Sequence, residues 1–214
     1  MTPKFAEAVD PVYLHVLELL DRIAAGQNPD PHEERTRLRG WIDQAEGRLG
    51  QGQDWALARY ALVAWIDEVL IDAQWQGRDW WNENVMEVDL FNTRLANEQF
   101  YVRAKEASSL ARRDALEVFY ICVVLGFRGL YRNPIVAAAL AEPRGLPPDL
   151  ETWTKQTSLA IRLGQGRPTI SDVGAPGAGA PPLIGQSLVV WSSLSGAVVA
   201  AFTLICVWIV FFGI

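Results

Sequence analysis

The segment AWIDEVL, Ala64 to Leu70, sets two carboxylates, Asp67 and Glu68, side by side among alanine, tryptophan, isoleucine, valine and leucine. Paired acids can serve as general acid and base, ligate a metal, or dock a basic surface. On a helix turning about 100° per residue, adjacent side chains diverge. Asp67 then falls among Tyr60, Val63 and Ile71, whereas Glu68 lies with Ala61 and one turn from Asp72. A lone carboxylate in apolar company is costly to bury unless donors satisfy it, so Asp67 calls for backbone amides, a tryptophan indole, Tyr60 or an arginine. Glu68 and Asp72 form a like-charge i,i+4 pair that needs compensation from a basic residue of the same chain or from a partner. A glycosidase-like pair requires two separated acids flanking a sugar cleft, which divergent neighbours do not supply.

Little else suggests catalysis. His15 and His32 fit no His-Glu-x-x-His spacing, and the chain lacks both Gly-x-Ser-x-Gly and the Glu-x-x-His pairs of a di-iron bundle. Neither an enzyme activity nor a cofactor or metal is expected. Glu98 and Glu117 sit beside Phe100, Tyr101, Phe119 and Tyr120 and read as structural acids held by tyrosine or backbone donors. Cys122 and Cys206 both lie in apolar runs and read as small buried hydrophobes. The net charge of -6, with no lysine or arginine run, argues against a nucleic-acid partner, which normally requires a basic face for phosphates.

The elements that position these acids are predicted to be helices throughout. The first opens at Asp10-Pro11 and closes at Gly26; a second opens at Asp30-Pro31 with Leu38, Trp41, Ile42, Ala45 and Leu49 on one face. A third is capped by Asp54 and runs from Trp55 to about Trp75, ending before Gly77; a fourth covers about 89–107 and a fifth about 109–127, where Gly126 and Gly129 break the pattern. Asn133-Pro134 begins a short sixth and Pro147-Pro148 a seventh reaching about Leu163. No stretch alternates long enough for a sheet. The expectation is an all-α domain over residues 1–163.

Residues 164–186 are rich in glycine, proline and alanine and read as a linker. Residues 187–214 run without a charge, enough at ~1.5 Å per residue to cross a ~30 Å hydrocarbon layer. The N-terminus lacks the apolar stretch of a signal peptide, so a tail-anchored, single-pass protein in a lipid bilayer is expected. Arg162 and Arg167 precede the span, which places the helical domain in the cytoplasm. Ser192, Gly196 and Ala200 recur every four residues and predict close packing on another membrane helix.

ALVAWIDEVLIDAQW, then LFNTRLANEQFY, then LEVFYICVVLGFRGLY, in that order, resemble the DotU/IcmH/TssL family, the tail-anchored inner-membrane subunits of type VI and type IVB secretion machines. The motif positions here are Trp65, Glu98, Phe100, Glu117, Tyr120, Gly126, Phe127, Gly129 and Tyr131. Ala96-Asn97-Glu98 stands where the family tends to have Ala-Gly-Glu, and Leu130 where a basic residue commonly precedes the tyrosine. The resemblance implies a hook-like domain of two small helical bundles with a cleft between them, and it associates Asp67 and Glu68, with Asp72 nearby, with that cleft and with docking of baseplate components, TssK-like and TssE-like. It also implies self-association and assembly with an IcmF-like (TssM) membrane protein, with no small-molecule substrate. Type VI is the preferred context; a type IVB subunit and an adaptor unrelated to secretion are the alternatives.

Overall fold

A computed structural model describes residues 1–164, which form nine α-helices and two short 3-10 turns. No strand occurs among these residues. The expected linker beyond Gly164, the expected membrane span 187–214 and its Ser192, Gly196 and Ala200 lie outside the described residues. Among the described residues no helix is long and apolar enough to cross a membrane.

Helix α1 (Pro3–Ala24) begins well before the expected Asp10-Pro11 start, and Pro11 lies inside it. A proline there cannot donate to the carbonyl of Glu7. Arg48 of α2 (Pro31–Leu49) donates its Nη1 to that carbonyl at 3.1 Å, so a side chain from the neighbouring helix makes the bond that the imino acid omits. The α2 start agrees with the sequence: the Asp30 carboxylate accepts from the His32 amide at 2.8 Å. Leu38, Ile42 and Ala45 are buried, but Trp41 is exposed.

The third helix, α3 (Gln53–Asp72), is the centre of the molecule. It packs on α7 (Asp114–Val124) most extensively, and also on α4 (Arg78–Glu83), α5 (Met86–Phe91) and α6 (Ala96–Ser109). An element surrounded this way shows little amphipathic pattern, since nearly every face meets a neighbour. Gly52, not Asp54, occupies its N-cap position, and Asp54 Oδ1 is buried without a hydrogen-bond partner. The helix ends earlier than expected because later side chains take its terminal carbonyls: Trp75 Nε1 donates to Leu70 O at 2.9 Å and Arg78 Nε to Ile71 O at 2.7 Å.

The expected fourth helix is divided. Asn92 adopts a left-handed conformation (φ 52°) that terminates α5, and α6 starts four residues later. Helix α7 is shorter than the expected fifth helix, since residues 110–113 form no helix before it. A 3-10 turn (Gly129–Arg132) follows, then α8 (Pro134–Leu140), where Asn133 Oδ1 accepts from the Ile135 and Val136 amides as its sequence position predicts. After the second turn (Glu142–Arg144), α9 (Leu150–Gly164) is capped by Asp149, whose Oδ1 accepts from Thr152 N at 2.7 Å, and it packs on α7. The buried side chains form one cluster, from Phe5 in α1 to Ile161 in α9. Helices α1 and α2 pair chiefly with each other and touch α3 along a smaller surface.

Candidate functional site

Four acids and two arginines meet where α3 faces α4, α5, the start of α6 and the 3-10 turn. Asp67 and Glu68 diverge as helical geometry requires. Asp67 is 5% exposed. Its Oδ1 accepts from Trp81 Nε1 and from the Met86 amide, both at 2.9 Å, and its Oδ2 from the Glu87 amide at 2.9 Å. The carboxylate therefore caps α5 from a different helix, meeting amides that no residue of α5 itself could satisfy. Burial outweighs these donors and lifts its carboxyl to about 6.

Glu87, from α5, repeats the device one step along the chain. Buried beside Asp67, it accepts from Tyr60 Oη at 3.1 Å, Thr93 Oγ1 at 2.8 Å and the Leu95 amide at 2.9 Å through Oε1, and from the Ala96 amide at 3.1 Å through Oε2. Asp67 thus fixes α5 on α3, and Glu87 fixes the start of α6 on α5. Burial, with Glu87 second, raises the Tyr60 phenol well above its usual range and keeps it a donor. Arg103 covers the Tyr60 ring, its guanidinium carbon 3.8 Å from the centroid.

Glu68 turns to the 3-10 segment. Its Oε1 accepts from the Arg128 amide at 2.7 Å and from Arg132 Nη2 at 2.8 Å, and its Oε2 from the Gly129 amide at 3.0 Å. Arg132 also bonds both oxygens of Asp72, at 3.0 and 2.5 Å. The compensation required by the i,i+4 acid pair is therefore supplied within the domain. The bonds to both acids hold the Arg132 guanidinium further above its already high ordinary range. Gly129 is at φ 48°, and a Cβ there would meet the Phe127 ring at 2.7 Å, which explains a glycine at this position.

These groups line a cleft of about 310 Å³, with Asp67 and Glu87 on its floor and Asn82, Arg94, Asn97 and Arg132 around it. The other motif residues lie away from the cleft lining, most of them in or against the core. Trp65 is fully buried and donates to Leu125 O at 3.3 Å. The Phe100 and Phe127 rings stack at 3.8 Å, and Tyr131 donates to Pro147 O at 2.6 Å. Gly126 has φ 117°, and Tyr120 is half-buried against the core. Glu98 pairs with Arg144 at 2.5 Å, and Glu117 with the N-terminal amine, neither of them at the cleft. His15 bonds the buried Glu34 at 2.8 Å, and His32 packs on Trp80. Among the described residues no group of three or more His, Cys, Asp or Glu side chains could hold a metal ion.

Glu87, Arg94 and Arg132 are cleft residues that sequence reasoning missed, as is Trp81, the buried donor to Asp67. Glu87 lies at the second position of a short helix, where an acid suits the amide end; that signal was available. Arg132 carried none, because its partners are 60 and 64 residues away.

The family model for "Type VI secretion system protein DotU" matches residues 4–213. Among solved structures, the cytoplasmic domain of TssL from Acinetobacter baumannii superposes with a TM-score of 0.59 at 22% identity, covering 75% of this chain and 98% of that one, a likeness in fold. No curated protein matches the chain. With a family match spanning all three acid-bearing motifs and an all-helical domain of the corresponding fold, the chain belongs to the DotU family of type VI secretion system proteins.

Proposed function

We propose that this protein is a structural and docking subunit of a type VI secretion membrane complex, without catalytic activity. In this reading residues 1–163 form a cytoplasmic platform, and residues 187–214 tether it to the bacterial inner membrane. Membrane-helix contacts through Ser192, Gly196 and Ala200 join it to a second copy and to an IcmF-like (TssM) protein, while the cleft beside α3 receives a baseplate component of the TssK or TssE kind.

The observation that carries this reading is the braced cleft. Asp67, Glu68 and Glu87 each hold a backbone segment from a different part of the chain, so the walls are fixed before any partner arrives. A preorganised surface binds with less ordering cost than a flexible one. The absence of charge from residue 187 onward supports the tether, and family membership supports the secretion context.

Full-length protein solubilised in detergent from its native cells, with Asn97→Trp alongside, tests the reading. Asn97 is exposed at the cleft and its side chain makes no hydrogen bond to the described residues, so a bulky replacement obstructs the opening without disturbing the braces. Recovery of an IcmF-like protein by both forms, with baseplate subunits lost only from Asn97→Trp, is the expected result. Equal recovery of baseplate subunits by both forms would remove the cleft from docking.

A further inference from the structure

The cleft's free hydrogen-bonding capacity is the reverse of what its acids suggest. Every carboxylate in it already has partners inside the protein. Asp67 and Glu87, both over nine-tenths buried, accept from amides, an indole and hydroxyls. Glu68 accepts from two amides and Arg132, and both Asp72 oxygens accept from Arg132.

The arginines are not used up in the same way. A guanidinium carries five N–H donors. Arg94 is exposed, forms no ion pair among the described residues, and commits only Nη2, which donates to Asn82 O at 2.7 Å and Asn82 Oδ1 at 3.0 Å. Its Nε–H and its Nη1 group have no acceptor in the described chain. Arg132 is half exposed and retains Nε–H and one Nη1–H beyond its three bonds to Glu68 and Asp72. The Asn82 amide oxygen is occupied by Arg94, which leaves its NH2 as the end available to a ligand.

We propose that the cleft takes an acidic protein segment, whose aspartate or glutamate side chain is received by the free N–H groups of Arg94 and Arg132. The proposal rests on the docking reading above and names the chemistry of its partner. A lysine or arginine entering the cleft would find Asp67, Glu68 and Glu87 held by internal donors, would share the exposed Asp72 with Arg132, and would meet Arg94 head on. A carboxylate finds unsatisfied guanidinium N–H donors on two arginines, and its hydrogen bonds to them are charge-assisted. A volume of about 310 Å³ accommodates a few side chains of an inserted strand or turn and excludes a folded domain.

The test is photocrosslinking in native cells, with a benzoylphenylalanine residue placed at position 95 of the full-length chain, where Leu95 is exposed beside the cleft residues Arg94 and Ala96. It is performed in the otherwise native sequence and in Arg94→Glu, Arg94→Gln and Arg94→Lys backgrounds, with crosslinked peptides sequenced by mass spectrometry. The expected result is a crosslinked segment rich in Asp and Glu, a yield roughly tenfold lower or more in Arg94→Glu, an intermediate loss in Arg94→Gln, and partial rescue in Arg94→Lys. Should Arg94→Glu fail to accumulate, Arg94→Gln carries the comparison, since it removes the charge and adds none. A crosslinked segment that is basic, or a yield that Arg94→Glu leaves unchanged or raises, overturns the acidic-partner inference while leaving the cleft a docking site. Absence of any crosslink to a secretion component from position 95 and from the exposed position 83 alike overturns the docking reading itself, and this inference with it.

Discussion

A charge reversal at Glu68 is the natural way to test an acidic docking site, and the geometry predicts that Glu68→Lys damages the fold instead. The Glu68 side chain is 8% exposed and accepts from the Arg128 and Gly129 amides and from Arg132. Replacement by lysine leaves two amides at the start of the 3-10 turn without an acceptor, costing about 1 kcal/mol each at the lower end appropriate to partly solvated groups. It also exchanges an ion pair for a like-charge contact with Arg132, which is half exposed, so that change is discounted to about 1 kcal/mol. The total is about 3 kcal/mol. For a chain of this size it lowers the melting temperature by about 6–12 °C. Thermal unfolding of the full-length protein in detergent, followed by circular dichroism, measures it directly. Glu68→Gln, which keeps one acceptor oxygen, should lose about half as much, and Asp72→Lys, on the exposed side of the same pair, less still. A Glu68→Lys melt within about 2 °C of wild type would refute the assignment of Glu68 as an internal brace.

Four further outcomes are expected. Because burial lifts the Asp67 carboxyl from an ordinary 3.8 to about 6, the folded protein retains a proton that the unfolded chain has released between those values; stability therefore declines as pH rises from about 4 to about 6, by up to about 3 kcal/mol, and Asp67→Asn should flatten that part of a pH series of melting curves. Gly129→Ala forces a Cβ against the Phe127 ring in a left-handed conformation and should cost about 2 kcal/mol or more by denaturant titration. Arg48→Met removes the donor that the Glu7 carbonyl receives in place of a Pro11 amide and should lower the melting temperature by about 2–4 °C. Arg132→Ala exposes the Glu68–Asp72 repulsion, and Asp72→Asn should recover part of the lost stability in a double-mutant cycle, since it removes one of the two repelling charges.

The sequence alone determined that the domain is helical, because caps such as Asp30 and Asn133 and the absence of two-residue alternation are local properties of the chain. It also determined that Asp67 and Glu68 face different surroundings, which follows from the 3.6-residue period and the residues one turn away. The three motifs, read in order, were sufficient for the family. Helix boundaries were less legible where a distant group sets them. Asp10-Pro11 has every local mark of a helix start, yet the helix continues through it because Arg48 takes the bond that Pro11 cannot make. The end of α3 depends on Trp75 and Arg78 folding back onto its carbonyls. Only the tertiary structure decided the character of the site. Four acids in a sequence suggest a negative surface, but a carboxylate already bonded to amides and arginines has little left to offer a partner, and those donors come from segments up to 64 residues away. Hydrogen-bond saturation is a property of atoms brought together by folding, and the local sequence around Asp67, Glu68, Asp72 and Glu87 carries no record of it.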